Sequence, residues 1–317
     1  MNRDTAVSCP AVARMIADIS GSGRRPQARS SPHPRLSPAS GIPPASQHFD
    51  TGVHMDPKSL ASRADAAAHA FGSAMERLVS LVPGATGRSG SQGTLLALTR
   101  SQIPALNVVM STVKKPDVEE IADLATVAAA EADRGGFPWS IRLRGGPDEA
   151  MTRKAREFGR TATSEQPFMV LPLKDASALP QDAGQVRVRV LGGDEYNDFA
   201  EVLAAGFGAP AVIISSLYTP AVLDAQGITA YVAEADGVTV AAGLGVVAGG
   251  HLGVINVATT PQHRRRGYAR VMVDRILQDG RARGAHTAYL HATDEAVGLF
   301  ESLGFHTAET WTSLIGT

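Results

Sequence analysis

A strand-like run, His251-Leu-Gly-Val-Ile-Asn-Val-Ala-Thr259, passes through a basic turn into a helix-like run, Tyr268 to Ala282. This junction constrains the fold more than any other part of the chain. In the helical part, Ala269, Met272, Val273, Ile276 and Leu277 recur at the spacing of one buried helix face. The turn therefore presents backbone N–H groups at a helix N-terminus. Those groups have no partner inside the helix, and the dipole there favours an anion. Gly267 lets a ligand approach the backbone, and Ala269 is too small to block it. Seven Arg fall between Gln262 and Ala285, although the whole chain has a net charge of −1. Three consecutive Arg at a helix start oppose the dipole, and a bound polyanion removes that conflict. The basic residues are not interleaved with aromatics, which argues against a nucleic-acid surface.

The sequence Arg264-Arg265-Arg266-Gly267-Tyr268-Ala269 resembles the pyrophosphate loop of the GNAT acyltransferase superfamily, and its surroundings resemble that superfamily in order and spacing. Hairpin signals at Asp236-Gly237 and Gly249-Gly250 separate three strand-like runs upstream. Downstream come a strand (Thr287-Ala-Tyr-Leu-His-Ala-Thr293), a short helix and a last strand. The ending Phe300-Glu-Ser-Leu-Gly-Phe305 is similar to the superfamily's Tyr-x-x-x-Gly-Phe, with Phe in place of Tyr. The resemblance covers about residues 186–317. It implies an α/β (α+β) fold: a mixed, mostly antiparallel GNAT-like sheet with helices on both faces.

The same resemblance implies a chemistry, that of an acetyl-CoA-dependent N-acyltransferase acting on a primary amine by direct attack in a ternary complex. Acetyl-CoA would bind Asn256, Val257, Ala258 and Thr259, the loop residues Arg264, Arg265, Arg266, Gly267, Tyr268 and Ala269, and Phe300. The backbone N–H of Val257 would polarise the acyl carbonyl. For proton removal the candidates are His291, at the exit of the second strand, and Glu234. An unperturbed imidazole pKa of about 6.5 suits His291 to that work. Phe300 cannot protonate a leaving thiolate, which leaves water, Tyr268 or Tyr289. The competing class is a non-catalytic acyl-CoA-binding or sensor module. The acceptor, a small-molecule or peptide amine, would meet the segment Gly206 to Asp224.

The rest of the chain sets the frame. At 317 residues two domains are expected. Residues 1–54 are Pro- and Ser-rich and read as a disordered tail or a mis-assigned start before Met55. Residues 55–180 alternate strand-like and helical runs in the order found after His251. They read as a degenerate GNAT-like or accessory α/β half, in tandem with the catalytic half at 186–317. Where the loop would be, that half has Thr112-Val-Lys-Lys-Pro-Asp117. Lys114, Lys115, Arg142 and Arg144 read as scattered surface charge. The single cysteine, Cys9, provides no disulfide framework, and neither a metal site nor a membrane span is expected. A cytoplasmic protein is expected, its oligomeric state open. Gly243-Leu-Gly245-Val-Val-Ala248 has the letters of a dinucleotide fingerprint, but a turn and a strand follow it rather than a helix.

Overall fold

The computed structural model describes residues 56–176 and 186–316, so the expected tail and Cys9 lie outside it. The first element is helix α1 (Pro57–Leu81). Asp56 caps it by accepting from the Ser59 N–H, and Pro57 occupies the first turn, where its missing donor costs nothing. Strands β1 (Thr86–Ser89), β2 (Thr94–Leu98) and β3 (Asn107–Ser111) follow. Next come helix α2 (Val118–Gly135), β4 (Ser140–Arg144), α3 (Glu149–Glu157) and the long β5 (Arg160–Pro172). After residue 186 the chain forms β6 (Val186–Leu191) and the short helices α4 (Tyr196–Phe207), α5 (Ala211–Leu217) and α6 (Pro220–Leu223). It then forms β7 (Ile228–Ala235), β8 (Val238–Ala248), β9 (His251–Thr259), α7 (Tyr268–Ala282), β10 (Thr287–His291), α8 (Asp294–Glu301) and β11 (His306–Gly316).

All eleven strands join one sheet in the order β1-β2-β3-β4-β11-β5-β10-β9-β8-β7-β6. Only β3–β4 and β9–β10 are parallel, and both of those pairs are linked by a helix. The mixed, mostly antiparallel sheet with helices on both faces is the fold class that the sequence predicts. Both expected hairpin turns form with positive φ at their two central residues: Asp236 and Gly237 at 52° and 77°, Gly249 and Gly250 at 53° and 76°.

The sequence alone does not anticipate how the two halves meet. The last strand of the chain, β11, lies between β4 and β5, and β5 lies between β11 and β10. Each half thus sends its final strand into the middle of the sheet, beside the other half. The two strands run antiparallel from His306↔Val170 to Gly316↔Arg160.

Two layers of helices sandwich the sheet. On one face, Met272, Val273, Ile276 and Leu277 of α7 pack with Leu252, Val254, Ala288, Leu290 and Phe300. On that face too, Ile121, Leu124 and Ala128 of α2 cover Leu96, Val109 and Ile141. On the opposite face, Phe199, Leu203, Tyr218 and Val222 pack on Ala230, Val232 and Leu244. There α1 lies over the centre, with Ala67, Phe71 and Met75 against Met110, Phe168, Tyr289 and Trp311. No described helix is long and apolar enough to cross a membrane.

Candidate active site

The parallel pairing of β9 with β10 covers only His251↔Thr287, Leu252↔Ala288 and Gly253↔Tyr289. β9 then continues to Thr259 without β10 beside it. The strands therefore diverge, leaving a free β9 edge from Val254 onward. A second irregularity lies on the other side of β9. Ala242 pairs with Ala258 and Leu244 with Ile255, so Gly243 alone faces both Asn256 and Val257. This is a β-bulge, which re-aims the backbone groups of the bulged strand. Asn256 takes the left-handed conformation that it requires, with φ 52°. Its side-chain amide donates to the Tyr218 hydroxyl. The opposing residue has little room for a side chain: a Cβ at Gly243 would stand 3.3 Å from atoms of Val257, Met272 and Ile276.

Beyond Thr259 the basic turn opens onto α7. Gly267 is the N-cap with φ 85°, and no side chain caps the helix. The first helical bond is Val271 N–H to the Gly267 carbonyl, at 3.2 Å. The N–H groups of Tyr268, Ala269 and Arg270 precede it and have no helical acceptor. No acidic residue sits in this first turn. A Cβ built on Gly267 meets no atom within 4 Å. The space above the helix start can therefore take a ligand, and the donors facing it suit a pyrophosphate.

The three arginines do different work. Arg264 is a brace: its Nη2 donates to the Gly206 carbonyl at 2.6 Å and its Nε to the Thr259 carbonyl at 3.3 Å. It ties the turn to the end of α4. Arg265, with φ 65°, and Arg266 are exposed and make no ion pair with a described residue. They remain available to an anion.

The proton-transfer candidates are placed less favourably. Glu234 is on β7, two strands from β9, and accepts from Arg189 Nε at 2.6 Å, while Arg189 also holds Glu195. The structure does not bring it to the divergence. His291 does end β10, but its ring points to the α1 face, between Phe71 (4.8 Å), Phe168 (4.8 Å) and Trp311 (5.0 Å). Burial, with the nearby Arg142 charge, holds the imidazole well below its ordinary 6.5. Its Nε2 is buried and has no hydrogen-bond partner. Phe300 is 8% exposed and packs edge-on against Phe305, at 5.7 Å, inside the core under α8. Tyr289 is buried on the α1 face with an unpartnered hydroxyl, and burial pushes its phenol up.

Three residues have roles that the sequence did not show. Tyr218 lies in the segment expected to meet the acceptor, but no pattern distinguished it from its neighbours. Arg142 and Arg144 are not surface charges, as their spacing suggested, because β4 runs under α1 near the centre of the sheet. Arg142 is 8% exposed, with burial lowering its pKa to about 10, and its Nη2 donates to Gln166. Arg144 binds Glu309 through Nε at 2.7 Å and Nη2 at 2.8 Å, Asp65 at 2.6 Å and the Thr112 carbonyl at 2.9 Å. Thr112 follows the end of β3, so Arg144 ties β4 to that end.

Comparison with known proteins agrees with this geometry. Residues 200–305 match the acetyltransferase (GNAT) family. No curated protein matches the sequence. Among solved structures, a GCN5-related N-acetyltransferase from Kribbella flavida is similar with a TM-score of 0.58 and 18% identity, over 80% of this chain and 95% of that one. A functionally unknown conserved protein from Staphylococcus epidermidis gives 0.55 and 14%, over 75% and 96%. A GCN5-related N-acetyltransferase from Sphaerobacter thermophilus gives 0.51 and 14%, over 82% and 92%. At these identities the likeness is one of fold, and its coverage takes in the first half as well as the second. The chain carries, in residues 200–305, an acetyltransferase domain of the GNAT family and is an acyltransferase of that fold.

Proposed function

We propose that the protein moves the acetyl group of acetyl-CoA onto a primary amine by direct attack in a ternary complex. One observation carries this reading: β9 leaves β10 after Gly253, bulges at Asn256 and Val257, and runs into a helix start whose donors are free. The N–H groups of Tyr268 and Ala269, with Arg265 and Arg266, would hold the pyrophosphate. The open edge from Val254 to Thr259 would pair with the pantetheine arm as an added strand does. At the bulge, the Val257 N–H would stabilise the carbonyl oxygen as charge develops on it.

The amine nitrogen attacks the carbonyl carbon, a C–N bond forms, the C–S bond breaks and CoA leaves as thiolate. One proton leaves the nitrogen. We assign its removal to His291, whose Nε2 has no hydrogen-bond partner, since Arg189 occupies Glu234. A thiol pKa of about 8.5 lets the thiolate leave without an acid at Phe300. We read residues 55–180 as a degenerate GNAT-like half, with Arg144 and its partners where a cosubstrate arm would otherwise lie.

The test is thiol release from acetyl-CoA against a panel of small amines, aminoglycosides and peptides with free N-termini. Acetyl-CoA binding with no thiol release on any amine would replace this reading with a binding module.

A further inference from the structure

A second site lies at the other end of β9. A cavity of about 310 Å³ opens between the first turns of α1 and the starts of β9 and β10. Six of its seven lining residues are polar: Ser59, Ser62 and Arg63 from α1, and His251, His286 and Thr287 from the sheet side. Among the described residues no carboxylate lines it. Eight residue steps of about 3.3 Å put roughly 26 Å between His251 and Thr259, so it is remote from the pyrophosphate loop.

Arg63 is the informative residue. Its Nη1 donates to Thr287 Oγ1 at 3.1 Å, which holds the guanidinium against the cavity wall. Its Nε is buried and has no acceptor, and it makes no ion pair with a described residue. A buried donor without a partner is destabilising, and a ligand acceptor would remove that cost. Opposite it, His251 is 8% exposed, with Nδ1 bound to the Gly249 carbonyl at 2.9 Å. That bond requires the proton on Nδ1, so Nε2 is the accepting nitrogen of the neutral ring. The His286 ring stands edge-on to it at 4.7 Å.

These groups select a ligand by charge and shape. A metal cation is opposed by Arg63, and among the described residues no group of three His, Cys, Asp or Glu gathers anywhere. An apolar ligand would leave the Arg63 Nε without an acceptor. A carboxylate is planar and would use donors on one side only. A phosphoryl group is tetrahedral and doubly charged, and here it meets donors from two sides, Arg63 and the serine hydroxyls of α1 and, across the cavity, the N–H of the His286 ring. We propose that this cavity binds a phosphoryl group, as free phosphate or as the phosphomonoester of a small molecule. The proposal does not depend on the transferase reading.

The experiment measures melting temperature at fixed ionic strength while inorganic phosphate and, separately, glycerol 3-phosphate replace chloride. The variants are Arg63→Gln, His286→Gln and Gly267→Glu, in the full chain. A saturable rise is expected in the wild type and in Gly267→Glu, and is expected to be lost in both cavity variants. The tighter of the two titrants assigns the free anion or the ester. His286 is exposed, so His286→Gln keeps the test if Arg63→Gln does not fold. Absence of a saturable rise in the wild type, or its survival in both cavity variants, would overturn the proposal. So would a rise lost only in Gly267→Glu, because phosphate would then be reading the pyrophosphate loop. Acetyl-CoA binding should be unchanged in Arg63→Gln, which separates failure of this proposal from failure of the transferase reading.

Discussion

The side-chain amide of Asn256, a residue held at φ 52° in the β9 bulge, donates its hydrogen bond to the hydroxyl of Tyr218 at the end of α5. A helix on one face of the sheet thus fixes the residue just before Val257. Tyr218→Phe removes the acceptor and keeps the ring. The expected stability loss is about 1 kcal/mol, read by urea denaturation. Turnover should fall between about 10- and 100-fold, since a small displacement of a positioning group costs that much. Acetyl-CoA affinity by calorimetry should change far less. An unaltered turnover would show that the bulge needs no brace.

Gly267→Glu should abolish acetyl-CoA binding and leave the protein folded. The added carboxylate enters the open space above the N–H groups of α7 and carries the charge sign of the pyrophosphate. A side chain at φ 85° costs about 1–2 kcal/mol, which is smaller than ordinary domain stability. Calorimetry and circular dichroism on the same sample separate the two effects.

His291→Ala should lower turnover about 10²–10⁴-fold with little change in acetyl-CoA affinity. Since the imidazole is held well below 6.5, the acid limb of the wild-type rate should lie below that pH, and neutral pH should already be on its plateau. Glu234→Gln should leave the shape of the profile intact. A normal rate in His291→Ala would transfer proton removal to water.

The same depressed imidazole has a consequence for stability. The unfolded chain takes up this proton near pH 6.5, and the folded chain takes it up only at much lower pH. Between those values the unfolded state binds more protons, so stability falls as pH falls below about 6.5 and gains nothing from this group above it. The slope from one such group is at most about 1.4 kcal/mol per pH unit. His291→Leu should flatten that part of the curve. It should not remove the slope entirely, because burial also lowers His251. Urea denaturation from pH 5 to pH 8 reads the difference.

Arg144→Met should cost about 3–5 kcal/mol, the range for breaking a buried ion pair from one side. The Arg144 side chain is 2% exposed and Glu309 12%, and Glu309 also accepts from Trp311 Nε1 at 2.7 Å. Because Arg144 is on β4 and Glu309 on β11, the loss should appear as cooperative destabilisation of the whole protein in a single denaturation transition.

What the sequence determined by itself was local. The strand–turn–helix passage from His251 to Ala282 was legible because helical period, glycine punctuation and local charge all act within a few residues of chain. So were the two hairpin turns, whose Asp-Gly and Gly-Gly pairs are the residues that accept positive φ. The α7 core face followed from the same signals. Tertiary structure alone decided the rest. Nothing in the run Arg160 to Pro172 says that it will lie between β10 and β11, because strand pairing is a contact between residues far apart in sequence. The burial of Arg142 and Arg144, the aromatic enclosure of His291 and the capture of Glu234 by Arg189 have the same origin. A side chain's ionisation and reach depend on what is packed against it, and those neighbours come from other strands and from α1. The cavity at Arg63, His251 and His286 is the extreme case: its walls lie nearly two hundred residues apart along the chain, so no motif could have announced it.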